Sequence, residues 1–145
     1  MPELTHGAGQ ELLAAFKRGW ESGQPDVIVD LFRDDAEYRD DPFAEPLSGG
    51  NAIRAHWNVL CAGQAHVDFD AERIWVSGST VLASWHAAYT QRSTAERVRL
   101  RGFMTLELDE SGAVWRFRQW PSARVVGTDD TLRADERRAE DANGE

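Results

Sequence analysis

Hydrophobic residues recur at helical spacing in three stretches of the first half of the chain. Residues 11–23, 25–32 and 51–63 each carry apolar side chains three or four positions apart, which is typical of an amphipathic helix. Pro25 suits the first turn of the second helix, because an N–H at that position would have no partner within the helix. The apolar positions of the three stretches are Leu12, Leu13, Phe16 and Trp20, then Val27, Ile28, Leu31 and Phe32, then Ile53, Trp57 and Leu60.

The second half of the chain changes to two-residue alternation, which is typical of half-buried strands. Residues 67–71 alternate strictly, and the pattern resumes one position out of step at Ile74. We therefore expect a β-bulge near Glu72 and Arg73. Three further alternating runs follow, at 80–90, at 97–108 and, after the tight turn "DESG", at 113–120.

The order of elements is helix, helix, short strand, helix and then four strands joined by hairpins. Helices gathered before a run of antiparallel strands indicate the α+β class. We expect a single domain over residues 9–122, preceded by a disordered start at 1–8 and followed by an acidic, mobile tail at 123–145. From Asp129 onwards the tail has seven acids, three arginines and almost no large apolar residues, so it buries too little to offset its ordering entropy.

The predicted hairpin strands have two unlike faces. One is a core or pocket face: Val98, Leu100, Gly102, Met104, Trp115 and Phe117. The other is basic and aromatic: Arg99, Arg101, Phe103, Thr105, Arg116, Arg118 and Trp120. A homodimer contact would cover the second face. The alternative is that its arginines pair with local acids while the tail half-covers its aromatic residues.

Charge and composition limit the partners. The 145 residues have a formal net charge of −9, which argues against nucleic acid or an anionic membrane as the main partner. No apolar run approaches the roughly 20 residues of a membrane helix. The N-terminus lacks a signal-peptide pattern, and the single cysteine, Cys61, cannot form an internal disulfide, so we expect a cytoplasmic protein.

The segment "LFRDDAEYRDDPFAEPLSGGNAIRAHW", followed later by "DESGAVWRFRQW", resembles the nuclear transport factor 2 superfamily. Within it the sequence is most similar to the SnoaL-like and ketosteroid-isomerase-like proteins, over roughly residues 9 to 121. The resemblance implies a curved antiparallel sheet wrapped around helices into a cone-shaped, cystatin-like domain with an internal cavity. The fold hosts isomerases, cyclases, dehydratases, epoxide hydrolases and binding proteins, so it does not decide the function.

The resemblance implies a carboxylate base in the "DPF" motif. By the motif the base is Asp41, and by strand alternation through Tyr38 it is Asp40; either aspartate could instead belong to a turn. Tyr38 could supply a hydroxyl to the cavity. The positions of the isomerase oxyanion donors correspond to Phe16 and Met104, which cannot donate a hydrogen bond, so ketosteroid isomerisation itself is not expected. The arginines of "RVRLRG" stand where an epoxide hydrolase would need an acid, and they fall on the outer face, so epoxide hydrolysis is not expected either.

The remaining candidates would line the cavity. An apolar ligand would contact Phe16, Trp57, Trp85, Met104 and Phe117, with Gln119 as a polar group beside them. We expect His56 and His86 to face outwards. The sequence has no metal-ligand spacing, phosphate-binding loop or dinucleotide fingerprint, so neither a metal nor a cofactor is expected.

The function predicted is therefore that of a SnoaL-like protein with an apolar small-molecule cavity. One hypothesis is cofactor-free proton transfer of the isomerase or cyclase type, with Asp40 or Asp41 as the base. The alternative is a non-catalytic domain of the same fold that binds a small molecule or another protein.

Overall fold

The structure, a computed structural model, describes residues 4–129 and 131, and it confirms the α+β class. Three helices and six strands follow one another in the predicted order, with one two-residue strand added before the third helix. The elements are α1 (His6–Glu21), α2 (Pro25–Val29), β1 (Phe32–Arg39), β2 (Leu47–Ser48), α3 (Gly50–Gly63), β3 (Gln64–Ser77), β4 (Thr80–Gln91), β5 (Glu96–Leu108) and β6 (Val114–Thr128). None of the helices in this described part is long and apolar enough to cross a membrane.

The six strands form one sheet in the order β2-β1-β6-β5-β4-β3. Every neighbouring pair is antiparallel except β1 and β6, which run parallel with Tyr38 opposite Phe117. The sheet is thus mixed rather than wholly antiparallel as expected. The parallel pair requires a long connection, which α3 and the β3–β5 meander supply.

Two of the register shifts in the sheet bear on the predicted core face. The register between β3 and β4 shifts between Ala71 and Arg73, which confirms the predicted bulge. A second shift, between β5 and β6, leaves Trp115 as an extra residue, because Val114 and Arg116 pair with consecutive residues of β5. The prediction that Trp115 shares the core face is wrong. Its ring instead lies 5.9 Å from the exposed guanidinium of Arg33.

The core lies between the inner face of the sheet and the apolar faces of the helices. Phe16 and Trp20 of α1 and Trp57 of α3 are all buried against the sheet. α2 packs closely on α1 at Gly19, where a Cβ atom would lie 2.8 Å from Cδ1 of Ile28. Glycine at this position lets the fully buried Ile28 reach the backbone of α1.

Both ends of the folded region extend beyond the predicted boundaries. α1 begins at His6, with the Thr5 hydroxyl accepting a hydrogen bond from the Ala8 N–H, so part of the predicted disordered start is helical. β6 continues to Thr128 opposite Glu96, so residues 123–128 are strand rather than tail. Both faces of this end of β6 are exposed, and it therefore lacks the alternation that identifies a strand. The rest of the predicted tail, residues 130 and 132–145, lies outside the described residues, as do residues 1–3.

Side chains of α1 satisfy backbone groups of β3, a strand at the edge of the sheet. Lys17 donates to the carbonyl oxygen of Phe69 at 2.6 Å and pairs with Glu21 and Asp70. Glu21 in turn accepts a hydrogen bond from the Phe69 N–H at 2.9 Å. Exposed edge strands invite pairing with other chains, and covering their polar groups prevents it. The hydrogen bond to Glu21 raises the pKa of Lys17, against a smaller opposing effect of burial.

We expect Lys17→Met to lower the free energy of unfolding by about 1 kcal/mol, because it removes a net hydrogen bond. Because the pKa of Lys17 is raised, its contribution is fully present below the ordinary lysine value of 10.5 and is lost as the pH rises through the folded-state pKa. Urea unfolding at pH 7 measures the difference. Arg18→Met, at an exposed position of the same helix, is the control, and equal stabilities of the two variants would contradict the prediction.

Candidate functional site

Asp40 and His56 meet at the end of β1, where α3 crosses it. Nε2 of His56 lies 2.8 Å from Oδ2 of Asp40, and the two side chains are 27% and 34% exposed. Asp40 continues the inward phase of β1 set by Ala36 and Tyr38, both of which are buried. The expectation that His56 faces solvent is wrong. It lies three residues after the buried Ile53, hence on the same side of α3, and that spacing was the signal available in the sequence.

Tyr38 lies between this pair and the core. Its ring stacks on Phe117 with centroids 4.7 Å apart and lies 5.3 Å from the ring of His56. Burial, and then the negative charge of Asp40, raises the pKa of Tyr38 well above its usual value, while the nearby N–H of Trp57 acts in the opposite direction. The hydroxyl is therefore protonated and can donate. Within residues 4–129 it makes no hydrogen bond of ordinary geometry.

Asp41, the other candidate base, is not brought to this pair. Its carboxylate accepts a hydrogen bond from the Phe43 N–H at 2.9 Å, and its carbonyl oxygen accepts one from the Ala44 N–H at 3.2 Å. These bonds close an exposed turn that ends β1. Asp41 therefore stabilises the turn, and its carboxylate is not in contact with His56.

The residues predicted to line a cavity pack against one another. Phe16 lies 5.6 Å from Trp57 and 6.0 Å from Phe117 between ring centroids, and Met104 is fully buried on the neighbouring strand β5. Gln119 is half-buried and lies opposite Met104. The positions that correspond to the isomerase oxyanion donors are thus apolar and filled by Phe16 and Met104.

Three buried tryptophans on this side of the sheet differ in how their N–H groups are satisfied. Trp20 donates to the side-chain oxygen of Gln64 at 2.8 Å. The N–H groups of Trp57 and Trp85 are enclosed and have no partner in the described part of the chain. A buried donor without a partner costs about 1–3 kcal/mol. Together with the Tyr38 hydroxyl, these two groups make the interior rich in unused donors.

Trp85 owes its position to Gly102, a residue that the alternation of β5 places on the core face. It lies opposite Gly102 in the β4–β5 pair, and a Cβ atom at Gly102 would lie 2.6 Å from Cζ2 and 3.0 Å from Nε1 of the indole. The edge of the indole that carries the N–H therefore rests on the backbone of β5. Any side chain at position 102 would displace it.

An open cavity lies at the other end of the sheet. It has a volume of about 670 Å³ and is bordered by the start of α1 and by the turns between β3 and β4 and between β5 and β6. Its lining includes Leu4, Arg33, Leu108 and Trp115. None of the predicted site residues contributes to it, so it is separate from the Asp40–His56 pair.

The arrangement around Asp40 has the parts needed to move a proton. A carboxylate and an imidazole in contact can hold a proton between them and pass it to or from a bound molecule. The protonated hydroxyl of Tyr38 lies beside them and can donate to an oxygen that gains charge. The pair is partly exposed, so a ligand can approach it from solvent.

Comparisons with known proteins agree with this architecture. The profile of the family described as SnoaL-like domain matches residues 13–117. No curated protein matches the sequence. Many solved structures match this one, and three of them are described below. Their sequence identities are low, so the likeness shows a shared fold and nothing about function.

The first is SalBIII, described as an epoxide hydrolase/cyclase-like enzyme in pyran ring formation in polyether salinomycin, with a TM-score of 0.73, 20% identity and coverage of 83% of this chain and 97% of that one. The second is an epoxide hydrolase of M. tuberculosis. Its TM-score is 0.67 at 18% identity, and the match covers 80% of this chain and 84% of that one.

The third is a protein of Catenulispora acidiphila with a ketosteroid isomerase-like fold, solved with trimethylamine. Its TM-score is 0.69 at 14% identity, and the match covers 76% of this chain and 84% of that one.

We expect Tyr38→Phe to leave the free energy of unfolding unchanged or to raise it by up to about 1 kcal/mol, because it removes a buried hydroxyl that has no partner among the described residues. The matched control is Thr90→Val, which removes a buried hydroxyl that donates to Asp129 at 2.6 Å and should cost about 2 kcal/mol. Urea unfolding compares the two. A loss in Tyr38→Phe as large as that in Thr90→Val would show that the Tyr38 hydroxyl is satisfied.

Proposed function

The chain belongs to the SnoaL-like domain family, and on that premise we propose that it binds a small, largely apolar carbonyl compound and transfers a proton on it through Asp40 and His56. The observation that carries the proposal is the 2.8 Å contact between these two side chains beside the protonated hydroxyl of Tyr38. Two of the solved structures that share the fold are a cyclase-like enzyme and an epoxide hydrolase, and their descriptions do not identify a substrate for this chain.

The proposed step is the removal of a proton from a carbon next to a carbonyl group. The C–H bond breaks, the proton passes to Asp40, and the electron pair moves onto the carbonyl oxygen. That oxygen accepts hydrogen bonds from the Tyr38 hydroxyl and the Trp57 N–H, neither of which has a hydrogen-bond partner among the described residues. In a β,γ-unsaturated ketone, return of the proton from Asp40 to the γ-carbon moves the double bond and completes an isomerisation. In a dicarbonyl compound, attack of the enolate carbon on the second carbonyl closes a ring, and the alkoxide that forms takes the proton back from Asp40. Neither outcome consumes an oxidant or a cofactor.

Phe16 and Met104 occupy the positions of the isomerase oxyanion donors and cannot donate. In the proposed reaction Tyr38 of β1 and Trp57 of α3 would donate in their place. Tyr38 and Trp57 approach each other closely enough that the indole N–H lowers the pKa of the phenol. In the proposed complex both groups would donate to one carbonyl oxygen, on the same side of the interior as Asp40. A substrate bound this way presents its carbonyl to β1 and α3 rather than to α1, which argues against a steroid held as in the isomerases.

Binding requires the aromatic side chains to move apart, because they fill the interior in the resting structure. Asp40 and His56 form the partly exposed rim of this region, so a ligand would enter there. Separating these rings costs less free energy because the Tyr38 hydroxyl and the Trp57 and Trp85 N–H groups have no partners among the described residues. Water or a ligand that enters can then accept their hydrogen bonds.

The test is the exchange of carbon-bound hydrogen for deuterium in a panel of cyclic ketones, followed by NMR in D₂O. We expect the wild-type protein to accelerate exchange, and Asp40→Asn and His56→Gln each to reduce that acceleration by about 100-fold or more, because general acid–base catalysis typically supplies this much. Asp41→Asn, one residue away in the exposed turn, is the matched control and should exchange like the wild type.

Two outcomes separate the alternatives. Ketones that raise the melting temperature of wild type and Asp40→Asn alike, without exchange, would indicate a non-catalytic binding protein. Exchange that survives Asp40→Asn would rule out Asp40 as the base.

We also propose a homodimer formed through the outer face of the sheet. Its arginines pair with acids on the same face, as Arg101 does with Glu72 at 3.1 Å, yet Trp75 and Trp120 remain 38% and 42% exposed. The guanidinium of Arg118 lies 5.8 Å from the ring of Trp120. Thr105, predicted on this face, is covered by its neighbours. Aromatic and arginine side chains of this kind are enriched at protein interfaces.

We expect Trp120→Ser to shift the protein towards monomer in sedimentation-velocity experiments without changing ketone binding. Val59→Ser is the control, because Val59 is an exposed apolar residue on α3, away from the outer face of the sheet. An unchanged sedimentation coefficient for Trp120→Ser, or a monomeric wild type, would contradict the dimer.

A further inference from the structure

Trp85 carries an enclosed N–H group for which the proposed chemistry has no use. Tyr38 and Trp57 suffice for one carbonyl oxygen, and they lie on β1 and α3, whereas Trp85 lies on β4. Its N–H has no hydrogen-bond partner within the described residues, whereas Trp20, which contacts it edge-on at 6.2 Å, has one in Gln64. An indole N–H can only donate. A group that forms a hydrogen bond with the Trp85 N–H must therefore be an acceptor, such as a carbonyl oxygen.

The surroundings of Trp85 fix its ring. Ala83 and Ala87, its neighbours on the same face of β4, are small, and the ring lies over Gly102 of β5 at distances that no side chain at that position would allow. Phe69 of β3 packs on it from the other side, with centroids 5.7 Å apart. These contacts hold the ring in place, with the edge that carries the N–H over Gly102 of β5.

The strand register relates this donor to the proton-transfer pair. Gly102 is two residues from Met104 along β5, and Met104 lies opposite Gln119 of β6. Arg39 and Arg118 are partners in the β1–β6 pair, so Asp40 and Gln119, the next residues, emerge side by side. Trp85 and Gly102 therefore lie on the same inner face as Met104 and Gln119, two residues further along the strands. A molecule lying over Gln119 and Met104 would have Asp40 at one end and Trp85 at the other.

We propose that Trp85 is a ligand-binding residue whose N–H holds a second oxygen acceptor of the ligand, and that Gly102 is the positioning residue that makes this possible. This inference rests on the proposed function, and it narrows the ligand class to flat, apolar molecules with two oxygen acceptors at opposite ends. One acceptor is the carbonyl that Tyr38 and Trp57 polarise. The other stays on the Trp85 side and sets the orientation of the ligand.

The experiment compares two probes, acetophenone and 1,4-diacetylbenzene, which differ by a second carbonyl group across the ring. Dissociation constants are measured by titration calorimetry for the wild type, Trp85→Phe, Gly102→Ala and Trp20→Phe. We expect the wild type to bind 1,4-diacetylbenzene about threefold to tenfold more tightly than acetophenone, because one net hydrogen bond is worth about that factor. Trp85→Phe keeps an aromatic ring but has no N–H, so it should bind the two probes equally well.

Gly102→Ala should abolish the same preference while acetophenone still binds, which a merely structural effect on the fold would not do. Trp20→Phe should keep the preference, because its N–H is already bonded to Gln64. If either Gly102→Ala or Trp85→Phe fails to fold, the other variant still decides. A preference that survives in Trp85→Phe, or a wild type that binds neither probe or both equally, would overturn the proposal.

Asp40→Asn separates this proposal from the proposed function. If the wild type exchanges no deuterium but the preference for 1,4-diacetylbenzene depends on Trp85, the proton-transfer function fails and the binding role of Trp85 stands. If Asp40→Asn loses exchange while Trp85→Phe leaves the preference unchanged, the proton-transfer function stands and the role of Trp85 fails.

Discussion

The packing of Phe16 is the contact on which both the fold and the site depend. Its ring lies 5.2 Å from Phe69, 5.6 Å from Trp57 and 6.0 Å from Phe117, measured between centroids. These three residues belong to β3, α3 and β6, so one side chain of α1 ties three separate elements together. Burying an aromatic ring of this size is worth several kcal/mol, and the edge and stacked contacts add to it. Without Phe16, Trp57 would keep only Trp20 as a ring partner from α1, and the position of α3, which carries His56, would be less well fixed.

A core built from tyrosine and tryptophan rings has a cost in hydrogen bonding. Tyrosine and tryptophan bring a polar atom with every ring, and each such atom must find a partner when it is buried. Trp20 solves the problem with Gln64. Tyr38, Trp57 and Trp85 leave it unsolved within the described residues, and two of these three surround the end of β1 that carries Asp40. Local rules are broken mainly where function requires it. The concentration of unsatisfied donors beside a carboxylate–imidazole pair therefore argues for a ligand rather than for a poorly made core.

Apolar and polar alternation predicts the orientation of strand residues well where only one assignment of inward and outward positions fits the sequence. The bulge after Ala71 was predictable because the alternation visibly slips there. The bulge at Trp115 was not, because Val114, Trp115 and Phe117 are all apolar and the run "VWRF" fits either phase. The same limit applies to the end of β6, whose residues are exposed on both faces. The pairing of β1 with β6 depends on how distant strands meet, which no local pattern records.

The two aspartates of "RDDPF" illustrate how neighbouring identical residues acquire different roles. Strand geometry sends Asp40 inward after Tyr38, and the proline that follows Asp41 favours an extended backbone before the turn that Asp41 closes. The alternation alone could favour Asp40 without excluding Asp41. What it could not provide was His56, because that contact joins residues 16 apart through the crossing of β1 and α3. The chemistry at this site therefore depends on a tertiary contact, and the aromatic core fixes the angle at which that contact forms.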